Sequence, residues 1–195
     1  MKNNSEEERS VIITGQTNRY QIKKLTKTQP SGKPTRVCIQ KLILGDFYFS
    51  AENQKEILLK MYNKFELNQD IEFICAEEEL AYDTMIKHIE AKINSYKQQD
   101  KLKEILDNIN VIKINTIIKH ILQCNMKCFY CHHDVMILYK QTRDLKQWTI
   151  DRIDNDLGHT KDNFVVACLD CNLKRRCQNI NKFNYTKNLL LIKKN

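Results

Sequence analysis

Cysteine is the residue type whose spacing points most directly to chemistry. Cys128 and Cys131 form one Cys-x-x-C pair, Cys168 and Cys171 form another, and thirty-six residues lie between the pairs. Each such turn presents two sulfurs to the same side, so two turns supply the four soft ligands of a tetrahedral zinc ion. The interval exceeds what a plain zinc ribbon needs, and its polar content implies that a working segment is built inside the clamp. Asp151, Arg152, Asp154, His159 and Asn163 lie within it, and Asn172 follows the last cysteine. Cys38, Cys75, Cys124 and Cys177 remain. Cys38 and Cys75 read as free thiols, while Cys124 and Cys177 are near enough in sequence to be alternative ligands. His132 and His133, directly after the first pair, are expected at the surface or beside the ion rather than on it, because four sulfurs complete the set.

These residues need elements to position them. Cys128 to Cys131 reads as a zinc-knuckle turn. Residues 135–139 and 148–153 read as strands; in the second, Trp148, Ile150 and Arg152 alternate with Thr149, Asp151 and Ile153. Residues 155–158 form a loop, 163–167 a third strand, and the second cysteine pair turns the chain into a helix at 172–177. Asp151 and Asp154 are three residues apart and point to opposite faces of a regular strand, so at most one faces a shared site unless the strand ends between them.

The order of strand, loop, strand and helix around four cysteines resembles the HNH endonucleases of the ββα-metal superfamily. The likeness is to the viral and phage subgroup with four zinc-binding cysteines. The matching residues are Asp151-Arg152-Ile153-Asp154-Asn155, Gly158-His159, Asn163, and Cys168 through Arg176 with Asn172 after its second cysteine. The match covers about the last 75 residues. It implies hydrolysis of DNA phosphodiester bonds aided by one divalent ion, usually Mg2+, besides the structural Zn2+. A hard cation takes oxygen ligands, so Asp151 or Asp154 with Asn172 would hold it. Asn163 matches the asparagine that braces the base. Many members carry a histidine where this chain has Arg152, and a guanidinium cannot take a proton from water. Either His159 supplies the base from the loop, which is the expectation, or the motif binds without cleaving. Arg152 would then contact phosphate or brace a carboxylate.

Across all 195 residues, Lys and Arg outnumber Asp and Glu by 32 to 24, giving a formal charge of +8 and a pI of about 9.0. That balance steers a protein toward polyanions. From Asn172 to Asn195 there are seven basic residues and no acid, whereas Glu6, Glu7 and Glu8 lie at the other end. Lys174, Arg175, Arg176, Lys182 and Lys187 are therefore expected to dock on the DNA backbone. The opening residues have no apolar core, and no apolar run nears the ~18 residues of a membrane span. An intracellular setting is expected, where paired cysteines serve as metal ligands.

Upstream, residues 11–14, 20–25, 36–44 and 47–49 read as strands of a small antiparallel sheet, with a loop at 28–34. Ser50 reads as a helix cap, followed by Ile57, Leu58, Met61, Tyr62 and Phe65 at helical spacing. A second helix is expected over 76–97 with Leu80, Ile86, Ile89 and Ile93. A third would be capped by Asp100 and carry Leu102, Ile105, Leu106 and Ile109. A fourth spans 116–123 on Ile117, Ile118, Ile121 and Leu122. His88 and His120 lie in helices and receive no role. The fold class is α+β, with residues 1–115 as a supporting or substrate-positioning region and 116–195 as the zinc-containing nuclease domain. The rival expectations are a non-catalytic zinc module that binds nucleic acid, which has no use for His159, and a protein-interaction domain indifferent to DNA.

Overall fold

Ser50 starts the first long helix, α1 (Ala51–Leu67), by accepting a hydrogen bond from the Asn53 backbone N–H at 3.2 Å. Gln54, Ile57, Leu58 and Met61 recur every three to four residues and are its buried stripe. Asn68 ends the helix in the left-handed conformation (φ 51°) that Asn tolerates better than most residues. α2 (Ala76–Leu102) opens with Glu77, Glu78 and Glu79, whose charges suit the positive end of the helix. Tyr82, Met85, Ile89, Ile93, Tyr96 and Asp100 make its buried face. α3 (Ile114–Gln123) buries Ile117, Ile118 and Ile121 against α1 and α2. The structure is a computed structural model that describes residues 43–187, all within one unit spanning Arg36–Asn195.

The carboxyl-terminal part is built on a two-stranded antiparallel sheet. β1 (Trp148–Arg152) pairs with β2 (Phe164–Cys168) so that Trp148 lies opposite Cys168 and Arg152 opposite Phe164. α4 (Leu169–Arg175) follows β2 at once and packs on both strands. α5 (Ile180–Lys187) buries Ile180 and Phe183, the latter edge-on to Tyr130 with ring centroids 5.0 Å apart. The Cys128–Cys131 turn joins this body through the Phe129 N–H, which donates to the Val166 carbonyl. Two buried side chains tie the halves together. Gln54 of α1 donates to the Leu138 carbonyl and accepts from the Ile137 and Leu138 N–H groups. Tyr96 of α2 accepts from the Ile150 N–H at 3.0 Å.

Several expectations are corrected. Residues 46–49 form a 3-10 helix (Asp46–Phe49), because Tyr48 turns inward under α1 rather than alternating along a strand. Residues 135–139 are not a strand; only Met136 makes a bridge, to Gln147. No separate helix begins at Asp100. α2 runs on to Leu102, Asp100 sits on its buried face, and Leu102 and Ile109 are exposed. The carboxyl-terminal helix starts three residues earlier than expected, at Leu169. The strands expected at 11–14 and 20–25 lie outside the described residues, as do Cys38, the loop at 28–34 and all of the strand expected at 36–44 except Ile43 and Leu44, which are not in a strand. The α+β class holds for the described part.

Candidate metal cluster and adjoining cationic cleft

The Sγ atoms of Cys128, Cys131, Cys168 and Cys171 all lie within 4.8 Å of one another, and Cys131 and Cys168 are 3.8 Å apart. A tetrahedron with metal–sulfur bonds of about 2.3 Å has sulfur–sulfur edges of about 3.8 Å, so the spacing fits one ion such as zinc. Local backbone makes this possible. Cys168 ends β2 and caps α4, where its sulfur accepts the Cys171 N–H at 3.4 Å. His132 takes a left-handed conformation (φ 58°) that closes the first turn, while its side chain stays in solvent with that of His133. The crowded sulfurs divide their protons unevenly: the hydrogen bond from Cys168 and nearby backbone N–H groups push the Cys128 thiol down, the same hydrogen bond pushes Cys168 up, and burial pushes Cys171 up. Cys124 instead donates to the Ile121 carbonyl, and Cys75 and Cys177 are exposed, so none of them joins the cluster. Among the described residues this is the one group of three or more Cys, His, Asp or Glu placed to share an ion.

Next to the cluster, β1, α4, the end of α2 and the loop between the strands enclose a cleft of about 380 Å³. It brings together five of the residues expected from the sequence to act on or bind DNA: Asp151, Arg152, His159, Asn172 and Arg176. Asn163 stands behind them. Its amide donates to the Asp154 and Gly158 carbonyls at 2.9 and 3.0 Å and its oxygen accepts the Asp154 N–H at 2.8 Å, which fixes the loop that carries His159.

His159 is 6% exposed, and its ring Nδ1 lies 2.7 Å from Asp100 Oδ1. Its backbone N–H donates to Asp100 Oδ2 at 2.6 Å, and its ring stacks on Tyr96 with centroids 4.6 Å apart. Nε2 has no protein partner among the described residues and is not sealed from solvent, so it faces the cleft. Burial pushes the imidazole below its ordinary pKa and Asp100 pulls it partly back, while Arg152 and Lys103 add to the depression. A lowered pKa favours the neutral ring, the state a base needs.

The cations are sorted by burial. Lys103, Arg152 and Arg176 line the cleft, and none pairs with a carboxylate among the described residues. Arg152 is steadied by donating to the Leu157 carbonyl at 3.0 Å. Arg175 is corrected: it is fully buried and donates to Asp151 Oδ1 at 2.5 Å and to the Arg152 and Ile153 carbonyls, so it cannot reach a phosphate. Lys174 pairs with Asp170 in solvent, and Lys182 and Lys187 on α5 lie outside the cleft.

The set expected to hold a second, divalent ion does not converge. Asp151 spends Oδ1 on Arg175 and Oδ2 on the Tyr130 hydroxyl, which donates to it at 2.6 Å. Burial pushes its carboxyl above the usual range, against those two partners. β1 ends at Arg152, between the two acids, and Asp154 lies exposed beyond it, accepting the Asp156 N–H rather than lining the cleft. Asn172 lines the cleft and donates through its amide nitrogen to Thr149 Oγ1 and the Ile150 carbonyl. One amide oxygen and a committed carboxylate are a poor set for a hard cation, which takes six or more oxygens.

Sequence reasoning read Asp100 only as a helix cap and gave Lys103 no role; they sit at and just past the end of α2, 59 and 56 residues before His159, Asp100 behind the ring and Lys103 in the lining of the cleft. The described residues include no helix long and apolar enough to cross a membrane. Comparison of the chain with protein-family models, with curated proteins and with solved structures gave no match.

Proposed function

We propose that this chain is an HNH-type endonuclease that hydrolyses DNA phosphodiester bonds, with Zn2+ bound by Cys128, Cys131, Cys168 and Cys171 as its structural staple. The supporting observation is the placement of His159: Nδ1 is engaged by Asp100, and Nε2 opens into a cleft rimmed by Lys103, Arg152 and Arg176. In this reading Nε2 takes a proton from water as the water oxygen attacks phosphorus. The three cations draw the phosphate in and stabilise the charge that grows on its non-bridging oxygens. The protonated ring or solvent then returns a proton to the leaving oxygen. Phosphate contacts of this kind hold DNA without reading its sequence. Four reduced thiolates belong in a reducing, intracellular compartment.

The second reading, a zinc module that binds nucleic acid without cutting it, is favoured by the unconverged acids around Asp151. Supercoiled plasmid with magnesium separates the two. Nicking by the wild-type protein supports the endonuclease. Its absence, together with DNA binding that weakens steeply as salt rises, supports the binding module. Absence of both leaves a protein-interaction domain.

A further inference from the structure

We infer that the last two turns of α2 are half of the reactive site, and that Asp100 is a positioning residue that sets which nitrogen of His159 carries the proton. This rests on His159 being the base. Asp100 is 1% exposed, and no lysine or arginine pairs with it among the described residues. A carboxylate so placed is costly to bury, and the same helix face is otherwise filled by Ile89, Ile93 and Tyr96, which pack without that cost. Both of its oxygens are spent on one residue, the ring and the backbone N–H of His159. Two contacts from a rigid helix fix both the position and the plane of the ring, and they make Nδ1 the donor, which leaves the Nε2 lone pair free.

The neighbouring residues fit this role. Gly158 is held so closely that a Cβ there would meet the Ile105 carbonyl oxygen at 2.4 Å and Asp100 Oδ2 at 3.1 Å. Only glycine lets the loop press onto the carboxylate. The loop is pinned to the segment after α2 by the Ile112 N–H donating to the His159 carbonyl and the Lys161 N–H to the Asn110 carbonyl. Tyr96 supports the ring face and is itself locked by Ile150. The titratable and charged groups facing His159 are Tyr96, Asp100 and Lys103 from α2, Asp151 and Arg152 from β1, and Arg176 after α4.

Asp100→Asn tests this. The amide oxygen can still accept the His159 N–H, but the NH2 then faces Nδ1, making Nδ1 the acceptor and moving the proton to Nε2. Nitrogen-15 NMR of the imidazole in the full chain should show the Nδ1–H tautomer in the wild type and Nε2–H in the variant. The cleavage kcat should fall about 100-fold or more, while KM for DNA and DNA affinity stay within about threefold. Asp100→Glu should recover part of the rate. The proposal is overturned if the variant keeps the wild-type tautomer, or if its kcat stays within threefold. Should Asp100→Asn fail to fold, the wild-type spectrum decides alone, since a proton on Nε2 there defeats the assignment. If the wild type binds DNA but never cuts it, the nuclease reading fails while the tautomer result still judges Asp100.

Discussion

Replacing Arg175 by Met should destabilise the protein strongly and leave its interaction with DNA nearly unchanged. The guanidinium is fully buried, and its Asp151 partner is 5% exposed. Arg175 also donates to two backbone carbonyls, while its Nε is buried without a partner. Removing one member of a buried pair strands the other charge, which costs about 3–5 kcal/mol. The unpartnered Nε already costs about 1–3 kcal/mol in the native state, so the lower half of that range is the better expectation. Against a total stability of about 5–15 kcal/mol for a domain, the loss should be plain in a urea titration followed by circular dichroism. In Arg175→Met/Asp151→Leu both charges are gone, and about 2 kcal/mol or more should return, less what Tyr130 loses with its acceptor. A loss under about 1 kcal/mol for the single variant, together with weaker and less salt-sensitive DNA binding, would mean that Arg175 is a phosphate contact and that its burial is misassigned.

Other outcomes follow from the same geometry. Cys128→Ser or Cys171→Ser should lose the bound metal and unfold the carboxyl-terminal part, since a thiolate-held zinc contributes on the order of 10 kcal/mol to folding; retained metal by mass spectrometry with an unchanged melting curve would contradict the cluster. Lys103→Ala and Arg176→Ala should each reduce the salt slope of DNA binding by about one and change stability by less than about 0.5 kcal/mol, as exposed cations outside any ion pair among the described residues. Burial holds His88, His120 and His159 below the ordinary imidazole pKa. The unfolded chain then binds more protons below about pH 6.5, so stability is fully present above that value and is lost as pH falls through the depressed folded values. The urea midpoint should drop between pH 7 and pH 5 and drop less in His88→Gln; a flat profile would contradict the burial of these rings.

The parts legible in the sequence were those set by local spacing. Two Cys-x-x-C turns, the alternation of Trp148 through Arg152, and Ser50 before a 3.6-residue pattern each carry their own geometry, and each is where the sequence places it. Asp100 was hidden because its partner is 59 residues away, and an acid at the end of one helical pattern looks like the cap of the next. The signal that it belongs inside α2 was its spacing of four from Tyr96, continuing the row of Ile89 and Ile93. Arg175 was hidden inside the run Lys174-Arg175-Arg176, which reads as a basic surface. Its spacing of four from Cys171 puts both on the inward face of α4, a clue that composition masks. Met136 and its neighbours show the opposite failure, since a β-favouring stretch stays irregular when only one residue finds a bridging partner.

The most direct test of the central claim is single-turnover cleavage of an end-labelled DNA duplex with magnesium, comparing the wild type with His159→Ala at saturating protein. If a single imidazole held by α2 is the base, the variant should bind the duplex as tightly as the wild type and cut it about 100-fold more slowly or worse. Cleavage by His159→Ala at the wild-type rate would show that the water is activated elsewhere and that the cleft built around Asp100 and His159 is not where the reaction occurs.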